Sequence, residues 1–189
     1  MKIGIIDYGS GNFASVYNAV RVLTSDIETV RCASDFEKVS HIILPGVGTF
    51  LYTMERMHDL GLLAPLKEHV LLHKKPYLGI CVGMQILGEN GYEFGAHRGL
   101  GWIPSNVSLL ENRRLPHMGW NEIEIEEELE ILQGIENKST FYFVHSYAME
   151  TPLKRDNVKV AFTDYSQKFV SVIQKDNIQL QVVIILMLK

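Results

Sequence analysis

The sequence of 189 residues predicts an α/β domain built on a largely parallel sheet. Three observations point there. The first half reads strand, helix, strand, strand, helix, strand, helix, and its strongest strands are continuous apolar runs, as expected when both faces of a sheet are covered. One of those runs ends in Gly79-Ile80-Cys81-Val82-Gly83 and passes straight into residues that can start a helix. After Leu87 the texture changes to short strand-like stretches between polar turns, which adds antiparallel strands to the first half. The whole chain, 1–189, reads as a single domain. Its composition of 47% hydrophobic and 21% charged residues is enough for a sizeable core.

Taken in order, residues 3–7 form the first strand. Tyr8-Gly9-Ser10-Gly11-Asn12 then makes a turn and a helix start. Phe13, Val16, Tyr17, Val20 and Leu23 follow at helical spacing. The Gly9-x-Gly11 pair is too short for a dinucleotide fingerprint, so nucleotide binding is not expected here. Residues 27–30 are a weak strand and 42–44 a strong one. Pro45-Gly46-Val47-Gly48 comes next, then a helical stretch through Phe50, Met54 and Met57. Residues 62–72 read as another helix, and 76–80 as the strand that leads to Cys81. Residues 88–101 are polar and rich in Gly, the mark of a surface loop. Short strands are expected at 102–110, 122–125, 140–144, 158–163 and 169–174, with Glu126-Glu127-Glu128 as a solvated turn.

Cys81 is the candidate nucleophile. An isolated Cys is most often a buried structural thiol, and Cys32 reads that way, as core or strand filler. Cys81 differs because Gly-x-Cys-x-Gly after an apolar strand is the thiol form of the nucleophile elbow. The glycines are expected to take backbone angles that a side chain opposes and to let the helix pack close. The helix start should favour the thiolate, making Cys81 more reactive than Cys32 toward electrophiles. Gly46-Val47-Gly48, at the carboxyl end of a strand, can turn backbone N–H groups toward a developing negative charge.

The totals exclude several classes. A net charge of -4 without a basic run argues against nucleic acid as a ligand. Two Cys and no secretory leader argue against a disulfide framework and for a reducing cytoplasm. No apolar run is long enough to span a membrane. No motif calls for a metal or a cofactor.

The motifs together resemble the class I, or triad, glutamine amidotransferases, in particular the glutaminase subunits of imidazole glycerol phosphate synthases. The matching segments are Ile5-Ile6-Asp7-Tyr8-Gly9-Ser10-Gly11-Asn12, Leu44-Pro45-Gly46-Val47-Gly48 and Gly79-Ile80-Cys81-Val82-Gly83-Met84-Gln85. To these are added Arg114-Leu115-Pro116-His117-Met118-Gly119-Trp120-Asn121 and Tyr142-Phe143-Val144-His145-Ser146-Tyr147. The resemblance covers residues 1–178 and implies a flavodoxin-like three-layer domain. It further implies that Cys81 attacks the side-chain amide of glutamine to form a thioester. Gly46, Val47, Gly48 and the amide of Val82 would stabilise the oxyanion, and Gln85, Ser146 and Tyr147 would hold the glutamine. Ammonia would pass to a partner (βα)₈-barrel cyclase in histidine biosynthesis, in a heterodimer. A related use in the family is ammonia supply for amidino-sugar synthesis. His117 and His145, which alone read as structural histidines, are placed beside the site or the partner interface, with Met118, Trp120 and Asn121.

One part of the family pattern is not met. The family supplies the base for its Cys from a C-terminal motif, Gln-Phe-His-Pro-Glu-Lys. In register, Val183 stands at the position of the His and Ile185 at that of the Glu. All seven histidines lie at or before His145. The tail 179–189 is therefore expected either to reflect a frame change or to mark a chain that docks on its partner without making ammonia. Its apolar run, 182–188, and the absence of the family's last helix are expected to leave apolar surface bare.

Overall fold

A computed structural model of the chain describes residues 1–9, 12–111, 114–152, 157–176 and, for the backbone only, 178–181. Two sequence expectations, the turn at Ser10 and Gly11 and the apolar run 182–188, lie outside the described residues.

The first half runs β1 (Ile3–Ile6), α1 (Phe13–Leu23), β2 (Ile27–Val30), a 3₁₀ turn (Ala33–Lys38), β3 (His41–Leu44) and α2 (Phe50–Asp59). It continues with α3 (Leu63–Lys67), a π-helical turn (Glu68–Leu72), β4 (Tyr77–Ile80) and the single turn α4 (Val82–Gln85). The second half carries β5 (Asn90–Gly91), β6 (His97–Arg98), β7 (Asn106–Leu109), β8 (His117–Glu122) and β9 (Glu124–Ile125). After these come β10 (Thr140–His145), β11 (Tyr147–Met149), β12 (Val158–Asp164), β13 (Lys168–Lys175) and β14 (Ile178–Gln181).

The strands among the described residues form a sheet in the order β2-β1-β3-β4-β14-β13-β11-β7-β5-β6, with β12 also paired to β13 and β9 to β12, and a separate ribbon of β8 and β10. Pairing from β2 through β14 is parallel. The β14–β13, β13–β11 and β11–β7 pairs are antiparallel. β14 thus joins the parallel half to the antiparallel half. It runs alongside β4 in the register Ile178 to Tyr77 through Gln181 to Ile80, so Gln181, the last described residue, lies level with the residue before Cys81.

The alternation of side chains along the strands builds three layers. Ile3, Ile5, Ile43, Leu78 and Ile80 meet Phe13, Val16, Tyr17 and Val20 of α1 on one face. Ile6, Ile42, Leu44 and Tyr77 meet Phe50, Met57, Leu62 and Leu66 on the other. A second cluster, with Leu110, Ile123, Phe143, Phe169 and Val172, fills the antiparallel half. In α2 the Thr49 side chain caps the helix by accepting from the Tyr52 N–H at 3.2 Å. Its buried residues Phe50, Thr53 and Met57 lie at helical spacing. No helix among the described residues is long and apolar enough to cross a membrane.

Two expectations change here. Cys32 is exposed rather than core, and it caps the turn Ala33–Lys38. The stretch 88–101 is not a free surface loop. Gly91 lies so close to Phe50 that a Cβ there would sit 2.5 Å from Phe50 Cγ, and one on Gly99 would sit 2.3 Å from the Gly88 carbonyl oxygen. These glycines serve close approach rather than mobility.

Candidate active site

β4 delivers Cys81 to the carboxyl end of the sheet, where open α/β folds bind ligands. Its backbone sits at φ 56, ψ −116, a region that residues with a Cβ rarely occupy and that costs about 1–3 kcal/mol. The glycines were expected to take such angles; instead Cys81 takes them itself. Gly79 and Gly83 supply proximity. A Cβ on Gly83 would lie 2.1 Å from the Leu44 carbonyl oxygen, and one on Gly79 would lie 2.5 Å from that of Gly83. A Cβ on Gly46 would lie 2.2 Å from Val82 Cγ1. The ends of β3 and β4 and the turn α4 therefore meet main chain to main chain. Tyr77, fully buried, donates its hydroxyl to the Gly83 carbonyl at 2.7 Å and fixes the turn from below.

A cleft of about 590 Å³ opens at Cys81. Gly46, Val47, Gly48, Gln85, His145, Ser146 and Tyr147 line it together with Cys81, so these sequence-expected residues meet in one place. Val82 is fully buried, and its N–H is directed at the Cys81 sulfur. His117 is buried behind His145, 3.3 Å from it. Met118 and Trp120 do not reach the cleft; each is 61% exposed on the ribbon. Asn121 turns its amide to His117 at 3.3 Å and to the Asp164 carbonyl at 2.8 Å.

The lining also includes residues that the sequence did not mark as site residues, among them Asn12, Glu93 and Phe94. Glu93 accepts a hydrogen bond from the Phe50 N–H at 3.1 Å, which ties the loop to the start of α2. The signal was present in a carboxylate flanked by Gly91 and Gly95, but glycine serves packing there, whereas composition alone suggests looseness.

Electrostatics separate the nucleophile from the reactive state expected for it. Burial pushes the Cys81 thiol up to about 11, the Val82 N–H opposes this, and the Glu93 carboxylate adds to it. With four residues, α4 is too short to reverse that order. Cys81 is therefore a thiol at neutral pH, against the sequence expectation of a thiolate. The histidine in the cleft is no free base either. His145 has Nδ1 3.0 Å from the Tyr147 carbonyl oxygen and Nε2 3.3 Å from His117 Nδ1, and burial pushes it down to about 4.

A pH dependence of stability follows. His145 and His69 are both depressed from 6.5 to about 4, each chiefly by burial. Between these values the unfolded chain binds protons that the folded chain refuses. Stability is thus complete above pH 6.5, falls progressively from there down to about pH 4, and loses no more from these two groups below that. Denaturant melts at pH 7.5 and 4.5 should differ by on the order of 5 kcal/mol, about 2.5 from each imidazole. Equal stability at the two values would show that neither imidazole is held neutral.

Comparison with known proteins agrees with this geometry. A sequence model for the family described as "Glutamine amidotransferase class-I" matches residues 4–182. Imidazole glycerol phosphate synthase subunit HisH 1 of Campylobacter jejuni (strain RM1221) is 44% identical over 179 residues, covering 93% of this chain and 88% of that protein. Subunit HisH of Pelagibacter ubique is 41% identical over 186 residues, covering 94% and 88%. Among solved structures, a glutamine amidotransferase superposes with a TM-score of 0.75 at 15% identity, over 96% of this chain and 89% of the other. A glutamine amidotransferase from Thermotoga maritima gives 0.69 at 14% identity, over 96% and 74%. The structures carry the fold; with the family match and the close relatives added, the chain belongs to the class I glutamine amidotransferases.

Proposed function

We propose that this chain is the glutaminase subunit of an imidazole glycerol phosphate synthase, with Cys81 as its nucleophile. The observation that carries the reading is the convergence of the Cys81 elbow with Gly46–Gly48, Gln85 and Glu93 in one cleft at the carboxyl end of β4. The Cys81 sulfur attacks the side-chain amide carbon of glutamine, and the carbonyl oxygen becomes an oxyanion facing backbone N–H groups of the 46–48 loop. The C–N bond then breaks, ammonia leaves with the thiol proton, and a thioester remains. Water cleaves it to glutamate and restores the thiol. Gln85, Ser146 and Tyr147 hold the substrate, and the Glu93 carboxylate suits its α-ammonium group.

The ribbon supplies a docking face. Met118 pairs across it with Val144, and Trp120 with Tyr142. Met118, Trp120 and Val144 are exposed at 61%, 61% and 43%, and the Trp120 and Tyr142 rings meet edge to face at 5.6 Å. An exposed apolar patch of this kind fits a protein partner, and the cyclase subunit is the partner this reading assigns.

In the chain as it stands the chemistry is impaired. Val183 and Ile185 replace the base and its orienting carboxylate, and the thiol is held protonated by burial. That favours a second reading, a glutaminase-like subunit that docks without producing ammonia.

Electrophile labelling tests the site. A glutamine-shaped chloroketone should modify Cys81, and free glutamine should protect it. Iodoacetamide, which has no amino-acid end for the cleft to hold, should modify the exposed Cys32 first. This reverses the order expected from sequence, because exposure now outweighs the elbow. Mass spectrometry of peptides reads both. A chloroketone that leaves Cys81 untouched, or that glutamine does not compete with, would count against a glutamine site.

A further inference from the structure

The chain turns a corner between β10 and β11, and that corner is part of the cleft. Ser146 and Tyr147 sit on it. Three hydrogen bonds fix it. The Leu110 N–H donates to the Ser146 carbonyl at 2.9 Å. The Gln85 side-chain amide donates to the Tyr147 carbonyl at 2.9 Å. His145 Nδ1 lies 3.0 Å from that same carbonyl.

A carbonyl oxygen only accepts, so His145 carries its proton on Nδ1 and its neutral Nε2 is an acceptor. His117 Nδ1, 3.3 Å away, must then donate. That leaves His117 Nε2 as an acceptor for the Asn121 amide at 3.3 Å. The orientation of Asn121 is itself fixed, since its Nδ2 donates to the Asp164 carbonyl at 2.8 Å and its Oδ1 accepts from the Glu122 N–H at 2.8 Å. Every donor and acceptor along this chain is thereby assigned by backbone groups at its two ends. The His117 ring is clamped between Phe143 and Tyr165, with centroids at 4.8 and 4.0 Å. His117 and His145 are 3% and 8% exposed.

We propose that His117 and His145 are positioning residues for the glutamine cleft. A directed hydrogen-bond chain from Asn121 through both imidazoles to the Tyr147 carbonyl sets the Ser146–Tyr147 corner, and through that shared carbonyl it sets the Gln85 amide. The proposal rests on reading the cleft as a glutamine site. His117 does not line the cleft and acts only through His145. Both rings serve as neutral connectors of fixed tautomer, and burial, which lowers the proton affinity of each, keeps them so.

The test compares His117→Phe with His117→Asn in the full chain. Phe keeps the stacking and removes the donor to His145. Asn keeps a donor at the place of Nδ1. For the glutamine-shaped chloroketone, His117→Phe should raise the half-saturating concentration about 5- to 30-fold, the cost of one unpaired buried group, with the maximal inactivation rate unchanged. His117→Asn should return it to within a factor of about two. Nitrogen-15 NMR of the unsubstituted chain should show Nδ1–H on both rings. A folded His117→Phe chain that binds the reagent as the parent does, or an Nε2–H tautomer on either ring, would overturn the proposal. If His117→Phe does not fold, the tautomers decide. A parent chain not labelled at Cys81 removes the glutamine reading, and the proposal with it. The tautomers, read without ligand, tell that failure apart from a failure of the hydrogen-bond chain.

Discussion

Restoring a base by Val183→His together with Ile185→Glu should raise glutamine hydrolysis, measured with the proposed cyclase partner present, by about 10²–10⁴-fold. The physical need is plain at Cys81. A thiol pushed up to about 11 by burial is almost wholly protonated at neutral pH, and an adjacent imidazole both takes the proton and leaves a cation beside the sulfur. The described part of the sheet leads toward that sulfur. β14 runs parallel to β4, and Gln181 pairs with Ile80, one residue before the nucleophile. Positions shortly after Gln181 are where the family's base stands in sequence register. The unsubstituted chain should turn over far below the usual enzyme range of about 1–10³ per second. Adding Cys81→Ser to the double variant should remove the gain. A folded double variant with no gain would show that residues 183 and 185 do not serve the sulfur. Parent turnover within the usual range would show that another residue is already the base.

The parallel half of the fold was legible because its strands are buried on both faces. Residues 3–7 and 42–44 read as strands from apolar content alone, and the strands are found at Ile3–Ile6 and His41–Leu44. The elbow was legible from spacing, and so was the 46–48 loop. What composition could not give was the division of labour within the elbow. Glycine was expected at the strained backbone angle, but the strain falls on Cys81, and the glycines answer contacts with Leu44 and Gly83 that only the folded sheet creates. Glu93 escaped notice for a related reason. Its loop is polar and Gly-rich like a surface loop, yet Gly91 exists to admit Phe50. The expected thiolate at Cys81 failed because desolvation depends on everything packed around the sulfur, and sequence shows only the neighbours along the chain. His117 and His145 each looked like an ordinary structural histidine in isolation. Their register as directly opposed residues on the ribbon, which brings them into one network, is a long-range fact.

Gly83→Ala should cost about 3 kcal/mol or more of stability and abolish labelling of Cys81 by the glutamine-shaped reagent. The added Cβ would sit 2.1 Å from the Leu44 carbonyl oxygen and 3.1 Å from its carbon. The obstacle is therefore backbone at the end of β3, not the tip of a side chain that could swing away. Relief requires moving α4 off the sheet, which lengthens the 2.7 Å hydrogen bond from the Tyr77 hydroxyl to the Gly83 carbonyl, and Tyr77 is fully buried. Cys81 lies two residues away at the head of the same turn, so its sulfur leaves the position set by the Val82 N–H. For a domain of this size the loss corresponds to a fall of about 6–12 °C in Tm. Gly48→Ala is the internal control. Its Cβ would meet only Tyr52 Cδ1 at 3.7 Å, an ordinary contact, so its stability should lie between no change and a gain of about 1 kcal/mol. Paired thermal melts, followed by peptide mass spectrometry after labelling, read both effects. If Gly83→Ala melts within a degree or two of the parent and still labels at Cys81, β3 and α4 do not approach as closely as the elbow requires.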